Sequence, residues 1–317
     1  MGRRLAWLVA GGLVAAFALP AIASAHVGRT LPVATNFTAR IVSPVPDVRA
    51  QVVDGDQTLW LGAPATAVVR VPGTLGEPLL RFDARGVWLN LRSPTAQADR
   101  IDRYDLRPSP RPNARPLWHR VTAGHAYAWH EHRLHALEPL ARKAGAVGPW
   151  AIPVVVDGRR RVLAGVLDFH PAGRTWAWIA ATVAATLAGT AAAVLRRRAL
   201  LVAALAALPL AAALRAGREL YGRPNVPVTG YVGVGITSAV GLALLAGLSS
   251  SQTRVPAAFL VGFGALYEGL TMLPLLTHAL ALNAVPSTAA RVFEVVAVAC
   301  GIAALGGSVL GNLRETQ

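Results

Sequence analysis

From Arg174 onward the sequence is a succession of apolar segments, each long enough to cross the ~30 Å hydrocarbon core of a bilayer. We predict five spans: Trp176–Leu195, Ala199–Leu214, Tyr231–Leu248, Val255–Leu276 and Val292–Leu310. The content of 54% hydrophobic residues is typical of a membrane protein and too high for one soluble domain of 317 residues. A lipid bilayer is therefore the first predicted partner of this chain.

Arginines near the span ends predict the orientation, because cytoplasmic loops carry an excess of Lys and Arg. The run Arg196-Arg197-Arg198 puts the first loop inside and everything before Arg174 outside. The prediction is a multi-pass plasma-membrane protein with an extracytoplasmic N-terminal domain and a cytoplasmic C-terminus. Against this rule, four arginines fall outside: Arg215, Arg218, Arg223 and Arg291. The second span is also short and contains Pro209, and a re-entrant path there would invert every later segment.

The N-terminus has the pattern of a secretory signal peptide over residues 1–25. Two arginines precede an apolar stretch from Leu5 to Leu19, and Ala23-Ser24-Ala25 is a small-residue cleavage site that would leave His26 first. An uncleaved anchor and cleavage after Ala23 are the alternatives. The predicted division is therefore a signal peptide (1–25), an extracytoplasmic domain (26–173) and a transmembrane helical domain (174–317).

The extracytoplasmic domain is predicted to be all-β. Ten short β-rich runs are separated by turn signals such as Asp54-Gly55, Pro72-Gly73 and Asp157-Gly158. The runs are TARIV, VRAQVV, QTLWL, TAVVRV, LLRF, VWLNL, LWHRV, AYAWH, AIPVVV and RVLAGVLDF. A helical period is present only at Leu137–Lys143. Regularly spaced strands without helices favour an antiparallel β-sandwich of Ig-like or cupredoxin-like type, followed by an all-α bundle.

Four of the eight histidines lie in the stretch HAYAWHEHRLHAL, from His125 to Leu137. Alternate residues of a strand share a face, so His130 and His132 are expected on the side opposite Tyr127 and Trp129. His135 can join them if the strand ends near Arg133 and the chain turns.

The amine and ring nitrogen of His26 could complete a nitrogen-rich ligand set that suits copper or zinc. Glu131 falls on the other face, where it could pair with Arg133 or hold a histidine from outside the ligand set. The alternatives to a metal site are a structural polar network at the sheet edge and a proton-linked role.

The stretch YAWHEHRLH resembles the Tyr-x-Trp-His-Asp-His-Arg-x-His-Trp signature of an uncharacterised group of actinobacterial-type membrane proteins. Four further segments carry the resemblance: GEPLLRF, LNLRSP, WAIPVVVDG and AGVLDFHP. Here Glu131 stands where the signature has Asp, and Ala136 where it has Trp. The resemblance implies a secreted β domain followed by several membrane spans, and no activity.

The ectodomain is more weakly similar to CopC-like copper-resistance β-sandwich proteins. In that family a mature N-terminal His and a later His on a strand help to bind copper. His26 and the cluster from His130 to His135 correspond to these positions, while the Asp-Gly-His motif of that family is absent.

The formal charge of +15 rests on arginine, since Lys143 is the only lysine. The arginines are scattered along the sequence and not grouped with aromatic residues, so we predict no nucleic-acid partner. Cys300 is the only cysteine, which excludes an internal disulfide or a Cys-based zinc motif. Ser93 has no Gly-x-Ser-x-Gly setting and no phosphate-binding motif occurs, so we predict no enzymatic activity.

Ionisable residues are few in the predicted spans, and such residues tend to be functional because their burial in lipid is costly. Glu268, His278 and Glu294 all fall in the predicted outer half of the bilayer, so they form a candidate polar path. Helix-to-helix hydrogen bonds and interfacial snorkelling are the structural explanations of the same residues.

Two functions follow from the sequence. The first is a membrane protein whose secreted β domain binds, senses or hands on a transition metal, with copper favoured and zinc the alternative. The second is an envelope protein whose ectodomain docks a protein or cell-wall partner, with the histidine-rich stretch structural.

Overall fold

The computed structural model of the chain describes residues 32–99, 111–135, 143–222, 242–243, 246–250 and 253–315. The predicted signal peptide, His26 and the helical period at Leu137–Lys143, apart from Lys143 itself, lie outside these residues, as does most of the third predicted span. The chain divides into two compact units. One is the β domain, Asn36–Pro171, and the other, the helical unit, combines residues 32–35 with those from Ala172 onward.

All ten predicted β-rich runs overlap observed strands of the β domain. In chain order the strands of the molecule are β1 (Ala34–Thr35), β2 (Phe37–Ser43), β3 (Arg49–Val53), β4 (Thr58–Gly62), β5 (Val69–Pro72), β6 (Pro78–Asp83), β7 (Gly86–Asn90), β8 (Trp118–Thr122), β9 (Ala126–His130), β10 (Gly145–Val156), β11 (Arg159–Phe169) and β12 (Leu280–Ala281). The two shortest, β1 and β12, belong to the helical unit.

The β domain contains two antiparallel sheets that share one hydrophobic core. The larger sheet has the order β2-β11-β10-β5-β6-β7-β8, and the smaller has the order β3-β4-β9. Leu59 and Trp129 of the smaller sheet are buried in the same cluster as Phe82 and Ile152 of the larger one. The predicted β-rich class is confirmed, and its Ig-like or cupredoxin-like type stays a prediction.

Aspartate-glycine pairs form the turns that the sequence predicts. Asp157 and Gly158, with φ of +48° and +80°, join β10 to β11 as a two-residue turn. Both central residues of such a turn need positive φ, which aspartate tolerates and glycine adopts freely. Asp54 and Gly55 have the same pair of conformations, φ +59° and +78°, between β3 and β4.

A short helix, α1 (Pro94–Ala98), was not predicted from the sequence. Ser93 caps it by accepting a hydrogen bond from Ala96 N, and proline occupies its first turn. Glu77, 3% exposed, accepts hydrogen bonds from Ser93 Oγ (2.6 Å) and Thr95 N (3.0 Å). Glu77 therefore fixes the start of this helix from the strand β6 side.

The helical unit contains α2 (Thr175–Leu195), α3 (Arg197–Leu220), α4 (Arg254–Met272), α5 (Pro274–Thr277) and α6 (Ser287–Glu315). In the part of the chain that the structure describes, four helical stretches are long and apolar enough to cross a membrane: Thr175–Leu195, Arg198–Leu220, Arg254–Thr277 and Ser287–Val309. Small residues let these helices approach closely: a Cβ added to Gly262 would lie 2.8 Å from the carbonyl oxygen of Gly301.

Helix α3 corrects the sequence prediction at its second span. It continues through Pro209 to Leu220, so Arg215 and Arg218 lie within the helix and not in the loop after it. The extension is stabilised by ion pairs, since Arg215 lies 3.5 Å from Glu219 and 3.1 Å from Glu268.

The stretch just before the β domain is anchored in the helical unit. Strand β1 pairs with β12 in the loop between α5 and α6, and Leu282 N donates to Val33 O (2.9 Å). This loop and the chain leading into the β domain therefore lie together. The predicted topology also puts them on one side of the membrane, and which side that is stays a prediction.

We expect Glu77→Gln to destabilise the β domain by about 1–3 kcal/mol, because Leu75 N, 3.2 Å from Oε2, would face an amide donor. Burial raises the pKa of Glu77, but the hydrogen bonds from Ser93 and Thr95 lower it by more. The net pKa is below the ordinary 4.5. A carboxyl with a depressed folded pKa stabilises the fold above pH ~4.5 and loses this contribution as pH falls through the folded value. The difference between wild type and variant in thermal unfolding should therefore shrink in acid.

Asp168→Asn is the control for Glu77→Gln. This variant removes the ion pair with Arg40, and the Arg40 side chain is 63% exposed. The loss of stability should therefore stay below about 1 kcal/mol. Equal destabilisation by the two variants would contradict the assigned role of Glu77.

Candidate metal centre

The histidine-rich stretch is a strand followed by a turn, and the prediction that His132 continues the strand is wrong. Strand β9 ends at His130, Glu131 is extended, and His132–Leu134 form one turn of 3-10 helix. The Glu131 carboxylate accepts a hydrogen bond from Arg133 N (3.2 Å), and His135 N donates to His132 O (3.0 Å). Leu134, fully buried, holds the turn against the core.

Glu131 and Arg133 form a buried, two-pronged ion pair below this turn. Arg133 Nε lies 2.7 Å from Oε1 and its terminal nitrogen 2.6 Å from Oε2 of Glu131, which is fully buried. Trp129 Nε1 also donates to Oε2 (3.0 Å). Burial raises the pKa of Glu131, but the Arg133 guanidinium and the Trp129 hydrogen bond lower it to a net value below the usual range. The two residues hold the turn and are committed to each other.

The turn brings the rings of His130, His132 and His135 together. The ring of His130 lies with its centroid 4.7 Å from each of the other two, which are 5.5 Å apart. His130 Nε2 and His135 Nε2 are 3.2 Å apart. His132 is half-exposed, with 50% of its side chain accessible, so the cluster opens to solvent on one side.

Each of these rings contacts an oxygen acceptor through Nδ1. His130 Nδ1 lies 2.7 Å from the carbonyl oxygen of Gln57, His135 Nδ1 lies 3.2 Å from Asp56 Oδ2, and His132 Nδ1 contacts Asp99 Oδ1. Carboxylates and carbonyls at Nδ1 are the partners that orient histidine ligands of metal ions, because they leave Nε2 with its lone pair. The arrangement is therefore one that can present Nε2 atoms.

While both rings are neutral, the hydrogens at the His130–His135 contact can be arranged in two ways. A carbonyl only accepts, so His130 donates from Nδ1 to Gln57 O and its Nε2 carries a lone pair. His135 either accepts from Gln57 Nε2 (3.2 Å) and donates from Nε2 to His130, or donates from Nδ1 to Asp56. In the second case two lone pairs face each other at 3.2 Å, which a shared cation relieves.

Buried carboxylates surround the histidines. Asp99 is 2% exposed and Asp56 is 4% exposed. Burial and the nearby Glu131 carboxylate raise the pKa of Asp99 above its usual range, although the contact with His132 opposes this. The site therefore combines imidazoles with acidic groups that favour a cation over an anion.

Among the described residues, no group of three or more His, Cys, Asp or Glu side chains has a geometry that could hold a metal ion. His130 Nε2 and His135 Nε2 lie 3.2 Å apart, and the ring of His132 lies beside both rings. Sequence reasoning missed Asp56, Gln57 and Asp99. Asp56 and Gln57 follow the Asp54-Gly55 turn signal, and Asp99 ends the helix that Ser93 and Pro94 begin.

The three ionisable residues predicted to form a path in the membrane have separate surroundings. Glu268 pairs with Arg215, His278 Nδ1 lies 3.0 Å from the carbonyl oxygen of Pro274, and Glu294 is fully buried. Among the residues that the structure describes, neither oxygen of Glu294 has a hydrogen-bond partner, and no hydrogen bond or ion pair joins two of the three. The path stays a prediction.

Comparison of the chain with protein-family models, with curated proteins and with solved structures gives no match. The resemblance of the histidine stretch to an actinobacterial-type signature stays a prediction.

We expect Arg133→Ala to destabilise the β domain by about 3–5 kcal/mol, because it leaves the Glu131 carboxylate buried without its cation. Thermal unfolding followed by tryptophan fluorescence measures this loss. Arg92→Ala is the control, since exposed Arg92 donates to the carbonyl oxygen of Arg115. A loss at Arg133 no larger than at Arg92 would show that the pair does not hold the turn.

In the helical unit, Glu268→Gln and Glu294→Gln should change the stability of the protein by different amounts or in opposite directions. Glu268→Gln removes the carboxylate 3.1 Å from Arg215 and should lower stability by about 1 kcal/mol. Glu294→Gln replaces a fully buried carboxyl by a neutral group of similar shape, and should leave stability unchanged or raise it. Thermal unfolding of the full-length protein in detergent tests both variants. A larger loss of stability for Glu294→Gln than for Glu268→Gln would contradict the roles given to these two residues.

Proposed function

We propose that this chain is a multi-pass membrane protein whose extracytoplasmic β domain binds a divalent transition-metal ion at His130, His132 and His135. The observation that carries the proposal is the 3.2 Å separation of His130 Nε2 and His135 Nε2. Two nitrogen ligands at ~2.0–2.1 Å from a tetrahedral ion stand about 3.3 Å apart. The two atoms therefore already have the spacing of ligands to one ion.

His132 is the third proposed ligand. Its ring lies beside both others and is half-exposed, so it can turn Nε2 toward the pair without rebuilding the core. Asp99 then keeps its contact with Nδ1 and orients the ring. His26 lies outside the described residues, and its amine and ring nitrogen are proposed as further ligands only for the processed chain.

Copper is favoured over zinc because three neutral imidazoles without a thiolate suit both ions, and affinity for such ligands peaks at Cu(II). The buried carboxylates of Asp56 and Asp99 add negative charge near the ion and fix the histidine tautomers. No bond-making step is assigned to the site, in keeping with a role in binding, sensing or handing on the ion. The helical unit anchors the domain in the bilayer.

The test is metal binding by the full-length protein in detergent, measured with Cu(II) and Zn(II) separately by titration and by metal analysis after dialysis. The wild type should retain one equivalent of copper. A His130→Ala, His135→Ala double variant should lose it, and Asp56→Asn should weaken it by about 10–100-fold through the lost contact with His135 Nδ1.

His125→Gln is the matched control, because His125 belongs to the same stretch but contacts the carbonyl oxygen of Asp83. It should bind copper as the wild type does. Absence of copper and zinc from wild type and double variant alike would overturn the proposal. The alternative, an ectodomain that docks an envelope partner through a structural histidine stretch, would then replace it.

A further inference from the structure

Arginines that are scattered in the sequence form a row across the larger sheet. Register aligns one residue from each of six neighbouring strands, β11, β10, β5, β6, β7 and β8. In this order they are Arg160, Val155, Arg70, Arg81, Trp88 and Arg120. Their neighbours along the strands, such as Val69, Phe82 and Val87, are buried in the core, so the row lies on the face away from it. We call it the arginine row.

Two cations are directly opposed at the centre of this row. Arg70 pairs with Arg81 in register, and like charges at such positions destabilise a sheet. Arg70, Arg120 and Arg160 are exposed, and Arg81 is partly buried. Asp83 offsets the charge of Arg81, and an anion from solution would offset that of exposed Arg70.

The row also borders an open groove of about 500 Å³, lined by Arg70, Arg81, Asp83, Arg85 and Trp88 among others. The Asp83 carboxylate is already bound by residues of the groove. Its Oδ1 accepts hydrogen bonds from Arg85 N (2.9 Å) and Trp88 Nε1 (3.1 Å), and its Oδ2 lies 3.1 Å from Arg81 Nε. The groove is lined by three guanidinium groups, those of Arg70, Arg81 and Arg85, and by one carboxylate, that of Asp83. It therefore has a net charge of two positive charges.

We propose that the arginine row binds a linear phosphate polymer. Guanidinium groups pair with phosphate oxygens through two parallel hydrogen bonds, and the row extends over five strand spacings, or about 24 Å. An extended polyanion matches this length, whereas a single small anion occupies only part of it.

The aromatic residues of the row favour a polymer without bases. The Arg81 guanidinium lies 5.1 Å from the ring centroid of Trp88 and 5.0 Å from that of Trp118. Single-stranded nucleic acids are held by stacking of bases on aromatic faces. Because the Arg81 guanidinium already covers a face of each tryptophan ring, bases cannot stack there. The row therefore recognises the charge of the phosphates and not bases.

The test is binding of linear inorganic polyphosphate to the full-length protein in a neutral detergent, at several salt concentrations. Arg70→Gln with Arg120→Gln should weaken binding by at least about tenfold and reduce the slope of log K against log salt by about 2. The control is Arg49→Gln with Arg92→Gln, which makes the same change of charge. Arg49 also stacks on a tryptophan, Trp60 at 5.7 Å, but on the smaller sheet. It should change affinity less than about twofold.

Equal losses in the two double variants would overturn the proposal, because net charge alone would then explain binding. Tighter binding of an oligothymidylate with the same number of phosphates would assign the row to nucleic acid instead. Tighter binding of phosphatidylglycerol vesicles would assign it to lipid headgroups. Each variant is also compared with wild type in thermal unfolding, so that a loss of fold is separated from a loss of binding.

Discussion

The buried ion pair between Glu131 and Arg133 is the interaction on which the histidine cluster depends. A fully buried carboxylate is costly unless its charge and its lone pairs are matched, and here Arg133 and Trp129 match them. The remaining guanidinium nitrogen donates to the carbonyl oxygen of Pro72 at the end of β5 (3.0 Å). The pair therefore ends β9, closes the turn and ties the smaller sheet to the larger one. His130 and His135, on the two sides of this turn, meet for that reason.

The turn between β3 and β4 supplies the other half of the site. The carbonyl oxygen of Gln57 accepts from His130 Nδ1 and also from Glu131 N (3.1 Å), so one backbone group positions both the ring and the ion pair. Asp56, the residue before it, reaches His135. The left-handed conformations of Asp54 and Gly55 give this segment its path. The segment between β3 and β4 thus fixes the Nδ1 hydrogen of His130 and places a carboxylate beside Nδ1 of His135.

The two-residue period of the strands and the aspartate-glycine turns were sufficient to predict the β domain, because burial on one face and positive φ leave direct marks on residue types. The convergence of His135 with His130 was predicted only as conditional on a turn. That turn depends on Glu131 packing inward beside Trp129, which strand parity indicated, and on a side-chain pair that no periodicity encodes. The helix that carries Asp99 is too short to show a helical period, and only Ser93 and Pro94 mark it.

The arginine row is a feature that could not be predicted from the sequence. In the sequence the arginines are scattered and not grouped with aromatic residues, and the prediction of no nucleic-acid partner rests on this scatter. Strand register is what aligns Arg70 with Arg81 and Trp88, and register depends on long-range pairing that composition does not reveal. Asp56 and Asp99 lie beside the imidazoles, whereas Arg70, Arg120 and Arg160 lie exposed on the outer face of the larger sheet. Because the core lies on the opposite face of the larger sheet from the row, Arg70, Arg120 and Arg160 stay exposed when the domain folds, and only Arg81 is partly buried. The histidine site, in contrast, is built from buried charges whose cost only a fixed set of partners offsets.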